Sequence, residues 1–257
     1  MGLDIVPEPR VYLDTALHPA STLALPVDAA RHVTRVLRLR PGMPLTLFNG
    51  EGGEFDAEIA EIRGQTVTVH IGQYRDVDRE SPLTLRLVQG ISRGERMDWV
   101  IQKAVELGVA RIEPVFMARS VVRLDARRAI LRRQHWRGVA VSACEQCGRN
   151  RIPEVARPVS FGEWAEGYRA NGPDGAGHPP GISLLLQPDA EKRLTDIAYT
   201  GGPITLLAGP EGGVTETEAG RAVSIGFMPI VLGPRILRTE TAALAAFSAI
   251  ALHWGDF

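Results

Sequence analysis

Apolar and polar positions change rhythm once along the chain. Up to about Tyr74, short apolar runs are punctuated by glycine; beyond Pro82, apolar runs alternate with longer helical patterns. In the first region Val27 to Leu39 predicts a helix. Val33, Val36 and Leu37 share one face, Asp28 suits the N-cap and Pro41-Gly42 suits the end. Arg31, Arg35 and Arg38 fall on another face at helical spacing. Leu45 to Asn49, Phe55 to Ile62 and Thr66 to Ile71 predict strands, with Gly50, Gly52-Gly53 and Gly64 between them. Short strands joined by glycine turns predict a small β-barrel.

The polar stretch Asp76 to Pro82 predicts a boundary between a first domain, 1–76, and a second, 77–257. Strands are expected at Leu83 to Gln89, Arg111 to Phe116, Ile182 to Leu186, Ile204 to Ala208 and Pro229 to Leu232. Between them Glu95 to Leu107 reads as an amphipathic helix with Gly108 at its C-cap, and Thr215 with Glu218 forms a capping box. A last apolar helix runs from about Ala242 to Trp254, and Asn171 to Gly181 reads as a surface loop. This alternation predicts an α/β domain with a parallel sheet covered on both faces.

Two polar turns follow the last two apolar runs. One is Leu207-Ala-Gly-Pro-Glu-Gly-Gly213; the other is Leu232-Gly-Pro-Arg-Ile-Leu-Arg-Thr-Glu-Thr-Ala242. The carboxyl ends of strands are where an α/β sheet places a ligand, so the pair points to a bound small molecule with an anionic partner near the arginines. Neither turn is a P-loop or a dinucleotide fingerprint.

Composition narrows the classes. Among 257 residues, 44% are apolar and 23% charged, with a net charge of −1. A packed core is expected, and any nucleic-acid affinity must come from local patches. Arg93 to Arg151 is such a patch, with thirteen basic residues, Arg123 among them, against six acids that include Asp125. Together with the arginine-lined first helix it makes two candidate phosphate-contacting surfaces. Cys144-Glu-Gln-Cys147 has CxxC spacing, but no second cysteine pair exists for zinc, and no thioredoxin-type strand precedes it; two small semi-buried side chains one turn apart are expected. The histidines, His178 included, are scattered, so no metal site is expected. Met1 to Arg10 lacks the apolar core of a signal peptide, and Ala242 to Trp254 is too short to span a membrane, so a cytoplasmic protein with no membrane association is expected.

Taken together, the two turns resemble the signature of the RsmE family, the 16S ribosomal RNA uridine N3-methyltransferases of the SPOUT superfamily. His32-Val-Thr-Arg-Val-Leu-Arg38, Leu47-Phe-Asn-Gly50, Ile101-Gln-Lys-Ala-Val-Glu-Leu-Gly108, Arg119-Ser120 and Glu145-Gln-Cys-Gly-Arg149 resemble further family segments in the expected order. Val214 departs from the pattern, standing where an aromatic residue is common. The resemblance implies an amino-terminal PUA-like β-barrel and a SPOUT domain whose parallel sheet carries a trefoil knot. It also implies S-adenosylmethionine as cofactor, 16S ribosomal RNA in the small ribosomal subunit as substrate, and a homodimer.

Carried onto this chain, the resemblance makes Arg238 the candidate for stabilising charge on the uracil and Glu240 a candidate proton acceptor or orienter of Arg238. It assigns cofactor binding to Leu186, Gln187, Leu207, Gly209, Glu211, Gly212, Leu232, Gly233, Ile236, Leu237 and Thr241, the last also as a helix cap. Arg10, Arg31, Arg35, Arg38, Arg93 and Arg119 are expected on RNA phosphate. Competing readings are an RNA-binding assembly factor without catalysis, a ribose 2′-O-methyltransferase of the same superfamily, and a CxxC redox protein.

Overall fold

The computed structural model describes residues 8–121, 126–171 and 181–257. Met1 to Pro7, Arg123, Asp125, His178 and nearly all of the Asn171 to Gly181 loop therefore lie outside the described residues. The chain forms two compact units, Met1–Glu80 with Cys144–Ile152, and Ser81–Ala143 with Pro153–Phe257. Residues 144–152, which a linear boundary at 76 places in the second domain, cluster with the first unit.

The first unit is built on β1 (Arg10–Tyr12), β2 (Ser21–Ala24), β3 (Pro44–Phe48), β4 (Glu54–Arg63) and β5 (Thr66–Arg75), ordered β1-β3-β4-β5-β2. β1 runs parallel to β3, and the other pairs are antiparallel. Alternate residues point inward: Leu45 and Leu47, then Phe55, Ala57 and Ile59, then Val67, Val69 and Ile71 meet in one core. Ala30 and Val33 plug that core from the helix.

That helix differs from the expected one. α1 (Val27–Arg31) continues as a π turn over His32–Val36, and Pro26, not Asp28, occupies the N-cap position. The additional residue in the π turn rotates the end of the element, so Val36 is 66% exposed rather than facing inward. The element ends before Pro41-Gly42, with Arg38 in the left-handed region at φ 54°. Arg31, Arg35 and Arg38 are all exposed, but they do not form one helical stripe.

The second unit holds β6 (Leu85–Gly90), β7 (Val109–Phe116), β8 (Glu154–Val155), β9 (Val159–Ser160), β10 (Ile182–Leu186), β11 (Ile204–Ala208) and β12 (Met228–Ile230). Their order is β12-β10-β11-β6-β7-β8, with β9 also on β7, and all pairs are parallel. α2 (Glu95–Glu106) and α6 (Thr239–Trp254) pack together, against β7 and β11 respectively. α4 (Phe161–Asn171) and α5 (Glu216–Ser224) pair elsewhere, with Phe161, Trp164 and Phe227 meeting Val88, Val115, Leu185 and Leu207. α3 (Ala126–Cys147) precedes β8. The predicted capping box is present: the Thr215 hydroxyl accepts from the Glu218 amide, and the Glu218 carboxylate accepts from the Thr215 amide.

Candidate active site

Three turns, all leaving the carboxyl ends of parallel strands, line a cavity of about 710 Å³ in the second unit. The first is Leu186 to Asp189 after β10, the second Ala208 to Glu216 after β11, and the third Ile230 to Ala242 between β12 and α6. Short strands end early enough here for backbone to form the walls. The second turn comes in close: a Cβ on Gly209 would stand 2.9 Å from Val214 Cγ2, and one on Gly90 would stand 2.5 Å from Pro210 Cδ. Only glycine permits those approaches.

Of the expected cofactor residues, Leu186, Gln187, Gly209, Glu211, Gly212, Leu232, Gly233, Ile236 and Leu237 line this cavity. Two do not. Leu207 is fully buried within β11, because the strand extends one residue past it. Thr241 is exposed on α6. The helix begins at Thr239, and positions two apart on a helix point to nearly opposite sides. Thr239 is the inward residue: it is buried, and its hydroxyl donates to the Gly209 carbonyl at 2.7 Å. Thr241 does not cap the helix; Arg238 holds the N-cap position, with extended backbone and no side-chain cap bond.

Both expected catalytic groups, Arg238 and Glu240, reach the cavity. Arg96, which the sequence shows only as part of the basic stretch, joins them from the first turn of α2. Its Nη1 donates to Glu211 at 2.9 Å, and its Nε lies 3.9 Å from the Glu240 carboxylate. Burial by itself would raise the Glu211 pKa, but the Arg93 backbone amide at 2.9 Å and Arg96 hold the carboxyl below its ordinary value. Arg119 also lines the cavity and donates to the Gly212 carbonyl at 3.0 Å. Arg93 is exposed outside the lining and contributes its backbone amide.

Arg10 is not available to phosphate. It pairs with the carboxylate of Glu54, which is 1% exposed, donates to Asn150 and stands 4.9 Å from the Phe48 ring centroid. Arg75 and Arg79 also reach Glu54, each at 3.1 Å. The fully buried Cys144 thiol is pushed up to about 12 by burial, which removes it as a thiolate nucleophile.

The cavity volume falls in the range for a small ligand, about 300–1,000 Å³. Leu186, Ile230, Leu232 and Leu237 supply apolar wall, while Asp189, Glu211, Glu216, Arg235 and Arg238 supply both signs of charge. That set fits a molecule with an aromatic base, a cationic sulfonium and a zwitterionic amino-acid end, which is the constitution of S-adenosylmethionine. Among the described residues no cluster of three or more His, Cys, Asp or Glu is placed to hold a metal, and no helix is long and apolar enough to cross a membrane.

Comparison with known proteins agrees with this geometry. The RNA methyltransferase domain family matches residues 79–251, and the RNA methyltransferase PUA domain family matches residues 25–72. Ribosomal RNA small subunit methyltransferase E from Buchnera aphidicola subsp. Schizaphis graminum is 34% identical, covering 96% of this chain and 97% of its own. The Bacillus subtilis protein of that name is 30% identical, covering 91% of each chain. Among solved structures, ribosomal RNA small subunit methyltransferase E from Neisseria gonorrhoeae bound to S-adenosyl methionine is 40% identical. Its TM-score is 0.89, with 97% of this chain and 99% of that one covered. A methyltransferase from Legionella pneumophila in complex with the bound cofactor SAM has a TM-score of 0.90 at 39% identity, with 98% and 100% covered.

Proposed function

Because the chain belongs to the ribosomal RNA small subunit methyltransferase E family, we propose that it transfers a methyl group from S-adenosylmethionine to N3 of a uridine in 16S ribosomal RNA. The observation that carries this reading is the three-turn cavity, where the cofactor-type glycine turn and the Arg238–Glu240 turn face one space.

The cofactor supplies an activated methyl on a sulfonium. The chain's own part is to hold the base in line with it and to manage one proton, since uracil N3 is protonated at neutral pH. Orientation alone supplies much of the rate, through effective molarities of about 10⁵ M or more. The Arg238 guanidinium stabilises the negative charge that spreads onto the uracil oxygens as N3 loses its proton. Glu240 accepts that proton or orients Arg238, and Arg96, 3.9 Å from its carboxylate, helps to place it.

The exposed Arg31, Arg35 and Arg38 of the first unit, with Arg93 and Arg119 of the second, contact RNA phosphate. The order β12-β10-β11 supports a trefoil knot. The chain leaves an edge strand and re-enters over the middle of the sheet, where Thr239 bonds Gly209. Ile236, 84% exposed at the cavity, and Leu252, 67% exposed on α6, support a homodimer in which a second copy covers them. The protein works in the cytoplasm, where ribosomal subunits mature.

The test is labelled-methyl transfer to small subunits that lack the modification, followed by nucleoside analysis. 3-Methyluridine is expected. A 2′-O-methylated nucleoside would move the chemistry to the ribose, and no transfer together with no cofactor binding would leave an RNA-binding assembly factor. Light scattering should give twice the chain mass of 27.9 kDa.

A further inference from the structure

A buried polar cluster that the reaction does not use reaches from Gln89, behind the cavity wall, to Gly209 and Thr239, which line it. Gln89, the penultimate residue of β6, pairs with Ala208 of β11 and is fully buried. Its amide nitrogen lies 3.0 Å from the Gly90 carbonyl, 3.2 Å from the Gly209 carbonyl and 3.2 Å from the Thr239 hydroxyl. Carbonyls only accept, so the nitrogen end of the amide must face them. The Thr239 hydroxyl donates its one hydrogen to Gly209 and therefore accepts from Gln89.

The amide oxygen of Gln89 is buried and has no hydrogen-bond partner among the described residues. Burying an unpaired acceptor is costly, and an aliphatic side chain would avoid the cost. What a glutamine does here that an aliphatic residue cannot is donate to Gly209 and Thr239 together. From below, the Gly90 backbone stands so close to Pro210 that no Cβ would fit. The Gly209–Pro210 peptide is thus fixed on its hidden side by side chains from β6 and from the first residue of α6.

We infer that Gln89 and Thr239 are a positioning pair, which locks the cofactor turn at Gly209 to the start of α6 and so holds Arg238 and Glu240 in register with the bound cofactor. The inference rests on the methyltransferase reading of the cavity. Neither residue need touch a reacting atom. Their effect passes through a turn whose displacement by about 1 Å would cost about a hundredfold in rate.

The experiment measures S-adenosylmethionine affinity by calorimetry, kcat and KM with undermodified small subunits, and melting temperature, on the full-length chain. Thr239→Val keeps shape and loses the hydroxyl; Thr239→Ser keeps the hydroxyl. We expect Thr239→Val to lower kcat about a hundredfold and weaken cofactor binding about tenfold, with Thr239→Ser recovering most of both. Gln89→Leu should act alike, and the double variant should be no worse than either single one, because the two residues work as a unit. Loss of melting temperature with kcat and cofactor affinity unchanged would overturn the inference, as would multiplicative effects in the double variant. Should Gln89→Leu not fold, the Thr239 variants decide it alone. Should the wild-type chain make no 3-methyluridine, the function reading fails, while cofactor affinity in the Thr239 variants still tests the pair.

Discussion

In the first unit Arg10, Arg75, Arg79 and Asn150 converge on the buried carboxylate of Glu54. In the second, Arg96 stands between Glu211 and Glu240 with nearly half of its side chain, 47%, exposed at a cavity. Residue types are shared and consequences differ. At Glu54 the buried carboxylate is answered from within the fold, and the buried Arg10 with it, so neither has anything left for a ligand. Around Arg96 the carboxylates are placed yet still open to the cavity, so they can meet a substrate. Arginine count is therefore a poor guide to RNA contact; what separates Arg10 from Arg35 is whether a buried acid already holds it.

The comparison can be broken hardest at Glu54. Glu54→Ala leaves Arg10 buried without its acid and should cost about 3–5 kcal/mol of stability in urea unfolding, while residual folded protein keeps its cofactor affinity. pH offers a second handle on that site. Burial by itself would raise the Glu54 pKa, but hydrogen bonds from Arg10 and Arg79 and the charge of Arg10 hold it below 4.5. A carboxyl held low contributes stability above its unfolded value and loses it as pH falls through the folded one. Acid should therefore unfold the wild-type protein more steeply than Glu54→Gln, as read by circular dichroism below pH 4.5.

On the cavity side, Arg238→Ala should lower methyl transfer by about 10²–10³-fold, with cofactor affinity by calorimetry retained. Unchanged turnover would remove Arg238 from the chemistry. Charge reversal at Arg35 and Arg38 comes next. RNA affinity should fall, and its logarithmic salt slope should shrink by about 0.7 for each phosphate no longer neutralised. An unaltered slope would make this face merely solvated. The smallest effect concerns Cys144: with its thiol pushed up to about 12, it should resist a disulfide reagent at neutral pH until the protein unfolds. Prompt reaction in the folded protein would reopen the redox reading.

Much of the molecule is legible in its sequence because it depends on local pattern. Strands β4 and β5 alternate over most of their length, β3, β10 and β11 are short apolar runs, and Thr215 with Glu218 carries its own capping chemistry. What escapes depends on register or on distance along the chain. β1 and β2 have three and four residues, too few to show alternation. The π turn at His32–Val36 moves Val36 outward and Arg38 off the helix, a one-residue shift that apolar spacing does not reveal. That Thr239 and not Thr241 lines the cavity is a similar matter of phase, at a helix start whose first residue is not fixed by a side-chain cap. Arg10 and Gln89 are beyond local reading, since their partners lie 44 and 120 residues away.

Ribosomes release chains from one end, and the first unit is not finished when its last strand is made. Glu54 receives a hydrogen bond from Asn150, which is 96 residues further on. At about 5–20 residues per second, synthesis separates the two by on the order of ten seconds. During that interval a nascent chain carries a buried acid whose arginines are in place but whose amide donor is not yet translated. A chaperone or a neighbouring polysome has that long to meet it, and a chain cut after Glu80 would never close the gap. For this protein the opening unit is the first to be started, yet it waits for Ile152 before its sequence is complete.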